Sequence, residues 1–205
     1  DTAQTFSAKR LNDNDNDMDI GTPIRELGPV DSEGLRNAIL CQGEDAWHEY
    51  EYRQKTYHHH EQTQSIVLVF TDGEGWPNYT VARGPGWDRL ADAALPLMKS
   101  IITAHYPPGG EVIRAMAAKL LAGGRIKTHA DAHPSFHCGH RIHVPITVNR
   151  RVRWSIDGRP YQFAVGHAYE LNNQKPHSVV NKGEEDRITF IFDYVPPGPL
   201  AFHPD

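Results

Sequence analysis

From Arg141 the chain runs R-I-H-V-P-I-T-V-N-R-R-V-R-W-S-I-D-G-R-P-Y-Q-F-A-V, ending at Val165. β-Branched and aromatic residues crowd this stretch, as they do on pleated, half-buried surfaces. Asp157-Gly158 sits between two such runs, and a two-residue Asp-Gly link is a strong hairpin signal. Gly166, Asn172-Asn173 and Lys182-Gly183 then punctuate two further runs, H-S-V-V-N (177–181) and R-I-T-F-I-F-D-Y-V (187–195). Short strands at close, even spacing predict a double-sheet β barrel with helices packed outside it. The class expected is mainly β (α+β).

Upstream the pattern changes. S-I-V-L-V-F-T (65–71) predicts a buried strand, closed by Asp72-Gly73. Asp31 and Ser32 precede G-L-R-N-A-I-L-C and are placed to cap a short helix. From Trp87, W-D-R-L-A-D-A-A-L-P-L-M-K-S-I-I-T-A-H carries apolar residues at helical spacing, with Pro96 expected to kink or split it. Pro107-Pro108-Gly109-Gly110 ends that segment. E-V-I-R-A-M-A-A-K-L-L-A (111–122) favours helix by propensity.

At 205 residues the chain is long enough for one domain with a real core. Apolar residues make up 39%, and the shortfall against a typical globular share lies at the start. L-N-D-N-D-N-D-M-D (11–19) holds four Asp and three Asn, too polar to offset the entropy of ordering. Residues 1–22 are therefore expected as a flexible acidic tail. Residues 23–205 are expected as one domain, its β core spanning about 65–195. The formal charge of −5 argues against nucleic acid as a partner. No apolar run approaches a membrane span, no secretory leader is legible, and Cys41 and Cys138 show no pairing pattern. A cytoplasmic protein with reduced thiols is the expectation.

The chemistry lies in the histidines. K-T-H-A-D places His129 and Asp131 one residue apart, and His177 follows in K-P-H-S-V-V-N. On a strand, residues two apart face one side, so His129 and Asp131 are expected to point together. His177, opening another strand, completes a set of two imidazoles and one carboxylate. That set suits Fe(II) with positions left open for a chelating co-substrate and O2. Arg187, ten residues past His177, offers a cation for the anionic end of such a co-substrate. Its strand is expected beside H-S-V-V-N, antiparallel. Zinc is the rival metal for these donors, but no motif for a general base accompanies them. Arg141, Arg150, Arg151, Arg153 and Arg159 cluster in sequence, more as solvated strand faces than as a binding patch. The run His58-His59-His60 reads as a local surface feature. His133, His137 and His140 read as loop residues, and the stretch from Ala132 to Gly139 as a cover over the site.

R-I-H-V-P-I, G-x-A-Y-E-L-N-N, H-S-V-V-N-K-G and R-I-T-F-I-F-D together resemble the aspartyl/asparaginyl β-hydroxylase family, over roughly residues 111–195. The resemblance implies a double-stranded β-helix (jelly-roll, cupin-like) fold. It also implies an Fe(II)- and 2-oxoglutarate-dependent dioxygenase. On that basis His129, Asp131 and His177 hold the iron and Arg187 pairs with the distal carboxylate of 2-oxoglutarate. Arg141 and His143, two apart and so on one face, contact its iron-bound end. Trp154 and Tyr169 are candidates to wall the cavity, with core packing as the plainer role. Animal members of this family have glycine where Asp131 stands, so the chain looks closer to bacterial members. A filled carboxylate position also argues against halogenation.

The activity implied is hydroxylation of an unactivated C–H, at the β-carbon, of an amino acid. That amino acid is either a free one or an Asp/Asn-type residue in a peptide. Arg114, Lys127, Arg151 and Arg153 suit a carboxylate-bearing substrate. Two alternatives stay open at this level: a cupin-like metalloenzyme that does not use 2-oxoglutarate, and a non-catalytic metal-binding module.

Overall fold

The computed structural model describes residues 19–50, 62–75 and 78–197. The His58–His60 run and most of the expected tail lie outside the described residues. Eleven described strands form two antiparallel sheets. β1 (Ile24–Pro29), β2 (Thr63–Gly75), β3 (Asn78–Arg83), β4 (Glu111–Leu120), β6 (His140–Pro145), β9 (His167–Leu171) and β11 (Arg187–Val195) make the larger sheet. Its order is β1-β9-β6-β11-β4-β2-β3. β5 (Arg125–His129), β7 (Val152–Ile156), β8 (Arg159–Tyr161) and β10 (His177–Asn181) make the smaller one, in the order β5-β10-β7-β8. From β4 onward the chain winds back and forth between the sheets. This is the double-stranded β-helix, and β1–β3 extend its larger sheet.

Two helices, α1 (Glu33–Leu40) and α2 (Trp87–His105), cover the outer side of the larger sheet. α2 buries Leu90, Ala94, Leu97, Met98 and Ile101, the stripe that period 3.6 predicts. Pro96 does not split it. Pro96 lies on the exposed side, where water can satisfy the carbonyl that loses its donor. At α1 the cap differs from expectation: Ser32 makes no side-chain bond, and the amide of Glu33 donates to Asp31 Oδ1 at 3.3 Å. One core fills the space between helices and sheet around Phe190, Phe192 and Leu68. A second lies between the sheets around Trp154, Phe163 and Val179.

Three expectations fail for one shared reason, tertiary pairing. Residues 111–120 form a central strand, not a helix. β4 pairs with β11 along its length and with β2 over residues 115–120, and Ala115 and Ala117 are fully buried. A strand buried on both faces loses the alternation that would identify it, and helix propensity of at most ~0.7 kcal/mol per residue is overridden. β2 likewise runs through Asp72-Gly73, because β3 pairs with it there. β11 does not lie beside β10; it crosses into the other sheet and pairs with β4 and β6. The Asp157-Gly158 hairpin is as expected, with both residues at positive φ, 50° and 72°, as a type I′ turn requires. No described helix is long and apolar enough to cross a membrane.

Asn181 secures the crossing from β10 to β11. Its buried amide donates to the carbonyls of Glu185 (2.8 Å) and Leu121 (3.2 Å). Its Oδ1 accepts from Gly183 N (3.1 Å) and Asn149 Nδ2 (3.0 Å). Replacing Asn181 with Ala strands several buried polar groups. In urea unfolding it should cost about 2–4 kcal/mol, against less than about 0.5 kcal/mol for the exposed Glu184→Ala.

Candidate metal centre

His129 ends β5 and His177 begins β10, and the two are direct cross-strand partners. Their ring centroids lie 4.4 Å apart. Each Nδ1 donates to the carbonyl two residues back, His129 to Lys127 O at 2.8 Å and His177 to Lys175 O at 2.9 Å. A carbonyl only accepts, so the proton sits on Nδ1 and the lone pair on Nε2, the form a metal binds. Burial pushes the pKa of His177 down, against the pull of Asp131, and so favours that neutral form.

Asp131 is not on the strand. It lies two residues past the end of β5, where its amide donates to Asn173 O at 3.0 Å. Its Oδ2 accepts from Arg141 Nη1 at 3.1 Å, and Oδ1 stands 3.8 Å from His129 Nε2. One ligand atom from each of His129, Asp131 and His177 lies within 4.8 Å of the others. Two imidazole nitrogens and one carboxylate oxygen on one side of a shared point fit a divalent iron with open positions.

Arg187 comes from the opposite sheet and faces the same cavity. Nη1 of Arg187 donates to Thr189 Oγ1 at 2.6 Å, and its guanidinium lies 4.9 Å from the Trp154 ring centroid. Nε and Nη2 are buried without a hydrogen-bond partner among the described residues. Burial pushes the pKa down to about 10. Both ring nitrogens of His143 are also buried and unpartnered, and the ring meets Trp154 edge-on at 5.5 Å. Burial first, then the charges of Arg141 and Arg187, hold its pKa far below the usual range. Buried polar groups are normally bonded, so this concentration of open donors in one cavity is the mark of a polar ligand. A carboxylate fits the two open N–H groups of Arg187.

Arg141 lines the cavity beside His143 but is already engaged. Its Nε and Nη2 donate to Asp193 at 2.8 and 2.9 Å, while Nη1 goes to Asp131. Arg114 meets Asp193 from the other side at 3.2 Å and also donates to Ser135 Oγ at 2.9 Å. Phe136 stacks under both guanidinium groups, at 5.0 and 4.3 Å. The segment from Ala132 to Gly139 is thus tied down through a 3-10 turn at Pro134–His137. Its Phe136 carbonyl also accepts from Gln174 Nε2 at 2.8 Å.

Sequence reasoning gave Asp193 no role. The signal was present: Arg187, Thr189 and Asp193 fall at alternating positions of β11 and interrupt an otherwise apolar strand. Of the aromatic candidates, Trp154 lines the cavity, whereas Tyr169 stacks on Phe163 in the core. Arg150, Arg151, Arg153, Arg159 and Lys127 are exposed, and Arg114 is buried in the ion pair with Asp193. His133 caps the 3-10 turn and His140 bonds Glu170, so neither joins the metal group.

A family model described as aspartyl/asparaginyl beta-hydroxylase matches residues 35–197. No curated protein matches the sequence. Among solved structures, the fold resembles a viral collagen prolyl hydroxylase of Paramecium Bursaria Chlorella virus-1, solved with 2OG. The TM-score is 0.53 at 9% identity, covering 88% of this chain and 99% of that one. It also resembles a Pseudomonas putida prolyl-4-hydroxylase, with TM-score 0.51 at 15% identity over 88% and 96% of the two chains. At such identities the likeness concerns the fold.

Burial raises the carboxyl pKa of Asp193, but Arg141 and then Arg114 outweigh it and hold the group below its ordinary 3.8. A depressed folded pKa stabilises above the unfolded value and is lost as pH falls through the folded one. Stability should therefore decline below about pH 4, and Asp193→Asn should flatten that decline. At neutral pH the same variant leaves the buried Arg114 and the part-buried Arg141 short of a counter-charge. It should cost about 3 kcal/mol or more by chemical unfolding.

Proposed function

The chain belongs to the aspartyl/asparaginyl β-hydroxylase family, and we propose that it hydroxylates the β-carbon of an amino acid, free or as an Asp/Asn-type residue in a peptide. It is an enzyme of the Fe(II)/2-oxoglutarate oxygenase kind. His129, Asp131 and His177 would hold the iron, and Arg187 the distal carboxylate of 2-oxoglutarate. When bound, the iron and 2-oxoglutarate would activate O2, one oxygen atom converting C–H to C–OH and the other entering succinate as 2-oxoglutarate loses CO2. One observation carries the assignment of co-substrate: the buried, unpartnered Nε and Nη2 of Arg187 in the cavity that His129 and His177 also line. A desolvated guanidinium with two open N–H groups calls for an anionic partner, which the distal carboxylate of 2-oxoglutarate supplies.

The other residues have defined tasks. The carbonyls of Lys127 and Lys175 fix the tautomers of the two ligand imidazoles. Arg141 neutralises one oxygen of Asp131 and leaves the other for the metal. His143, neutral at physiological pH, offers the co-substrate a hydrogen bond without a second positive charge. Trp154 forms an apolar wall behind Arg187 and keeps water from its guanidinium. The family supports an amino-acid substrate, and the restricted cavity supports a small molecule or peptide segment.

A succinate-release screen over free amino acids and short peptides, with mass detection of an added oxygen, tests the proposal. Turnover should require Fe(II), and Arg187→Ala should raise the 2-oxoglutarate requirement about a hundredfold, as expected for a lost charge-assisted pair. Asp131→Ala and His129→Ala should abolish metal binding measured by calorimetry with Mn(II). Unchanged succinate production in Arg187→Ala would overturn the assignment of co-substrate.

A further inference from the structure

Charge is unevenly spread along this chain. Residues 123–182 hold nine Lys or Arg against three Asp or Glu, in a protein whose net charge is −5. Much of that excess falls on the outer face of the smaller sheet. Ile126, Trp154 and Val179 turn inward and line the cavity, so by the two-residue period their neighbours turn outward. Those neighbours are Arg125 and Lys127 on β5, Ser178 and Val180 on β10, and Arg153 and Ser155 on β7. Arg151 and Lys182 lie just past the strand ends, joined by a backbone bond from Lys182 N to Arg151 O at 3.2 Å, and continue the same face. Its cations, Arg125, Lys127, Arg151, Arg153 and Lys182, are all exposed. No described carboxylate pairs with any of them. The guanidinium of Arg153 bonds only the carbonyls of Arg150 and Val152, and that of Arg151 only the carbonyl of Lys182.

The cations form a regular array. Val180 pairs with Arg125 on one side and Arg153 on the other, which sets those two about 10 Å apart across the strands. Arg125 and Lys127 follow each other along β5 at about 6.6–7 Å, as do Arg151 and Arg153 along the start of β7. Gathering like charges on one sheet face costs stability unless an anion offsets them. The face carries no aromatic side chain on which a base could stack, and the net charge of −5 opposes a nucleic acid. It carries no large apolar side chain to enter a lipid surface; Val180 alone is apolar, and it is part-buried. An extended acidic polypeptide meets both conditions that remain. Carboxylates at every second residue stand on one side of it at the same 6.6–7 Å, and part-buried Ser155 and Ser178 suit its backbone.

We propose that the outer face of the smaller sheet is a docking surface for an acidic polypeptide segment in extended form, its alternate carboxylates on Arg125, Lys127, Arg151, Arg153 and Lys182. Each contact is exposed and weak, so affinity comes from their number and is sensitive to salt. The docked segment lies on the strand that carries His129. The inference is independent of the reaction catalysed.

A fluorescent twelve-residue peptide alternating Asp and Ser, titrated with the full chain and followed by anisotropy, tests this. Binding should be measurable at about 0.01 M ionic strength, where screening extends about 30 Å, and be lost at about 1 M, where it extends about 3 Å. Changing Arg125, Lys127 and Arg153 together to Ser should weaken it about tenfold, whereas changing Lys99, Arg150 and Arg159 together to Ser should alter it less than about twofold. Carbodiimide coupling, which joins carboxylates to lysines in contact, should link the peptide to Lys127 and Lys182. Absence of binding at low salt, coupling only to lysines elsewhere such as Lys99 or Lys175, or equal weakening by the two triple substitutions would each overturn the proposal. So would tighter binding, through the same three residues, of vesicles of phosphatidylserine and phosphatidylcholine in equal parts or of an oligothymidine of the same length.

Discussion

Asp193 is a buried carboxylate set between two guanidinium groups, and much of the site hangs from it. It bonds Arg141 through both oxygens and Arg114 through one. Arg141 passes the constraint to Asp131, which stands outside regular structure and has only a backbone bond to Asn173 to help hold it. Removing charges from water is costly, and the cost is offset only if each group is paired in good geometry. The alternation of sign along Arg114, Asp193, Arg141 and Asp131 meets that condition. The consequence is directional: one oxygen of Asp131 is committed to Arg141, and the other faces the imidazoles.

The contrast with Arg187 is instructive. Arg141 and Arg187 are both cations on the larger sheet facing one cavity, Arg141 part-buried and Arg187 buried. Opposite charges surround Arg141, and its pKa is raised despite burial. Arg187 has a hydroxyl and an aromatic face, and burial alone lowers its pKa. The first is a closed structural unit. The second is a desolvated donor set awaiting an anion. Nearby His143 carries two further open nitrogens. Partnership, rather than residue type, separates the group that builds the site from the group that binds.

β11 serves two layers at once. Phe190 and Phe192 pack toward the helices, while Arg187, Thr189 and Asp193 face the cavity side. The helices therefore stabilise the strand on which the charged residues stand, without touching the site themselves. The winding of β4–β11 brings β5 and β10 together in one sheet and sets β11 across from them in the other. The His129–His177 pair and the Arg187 guanidinium thus approach from opposite walls of one cavity.

His129, Asp131, His177 and Arg187 were legible as letters because metal-binding chemistry needs particular residue types, and because those residues open, end or follow strands that the sequence marks clearly. The hairpin at Asp157-Gly158 was legible for a similar reason, since few residue pairs tolerate two positive φ angles. Helix α2 announced itself by its buried stripe. The strand at 111–120, the sheet to which β11 belongs, and the roles of Asp193 and Arg141 were not legible. Each depends on partners distant in sequence: β2 and β11 for β4, β4 and β6 for β11, Arg114 for Asp193. Local propensity amounts to tenths of a kcal/mol per residue, whereas pairing along a whole strand and neutralising a buried charge are worth several. The sequence determined which groups could do the chemistry. Only the tertiary structure decided which of them are spent on one another and which stay open, because desolvation and pairing exist only once the sheets have closed.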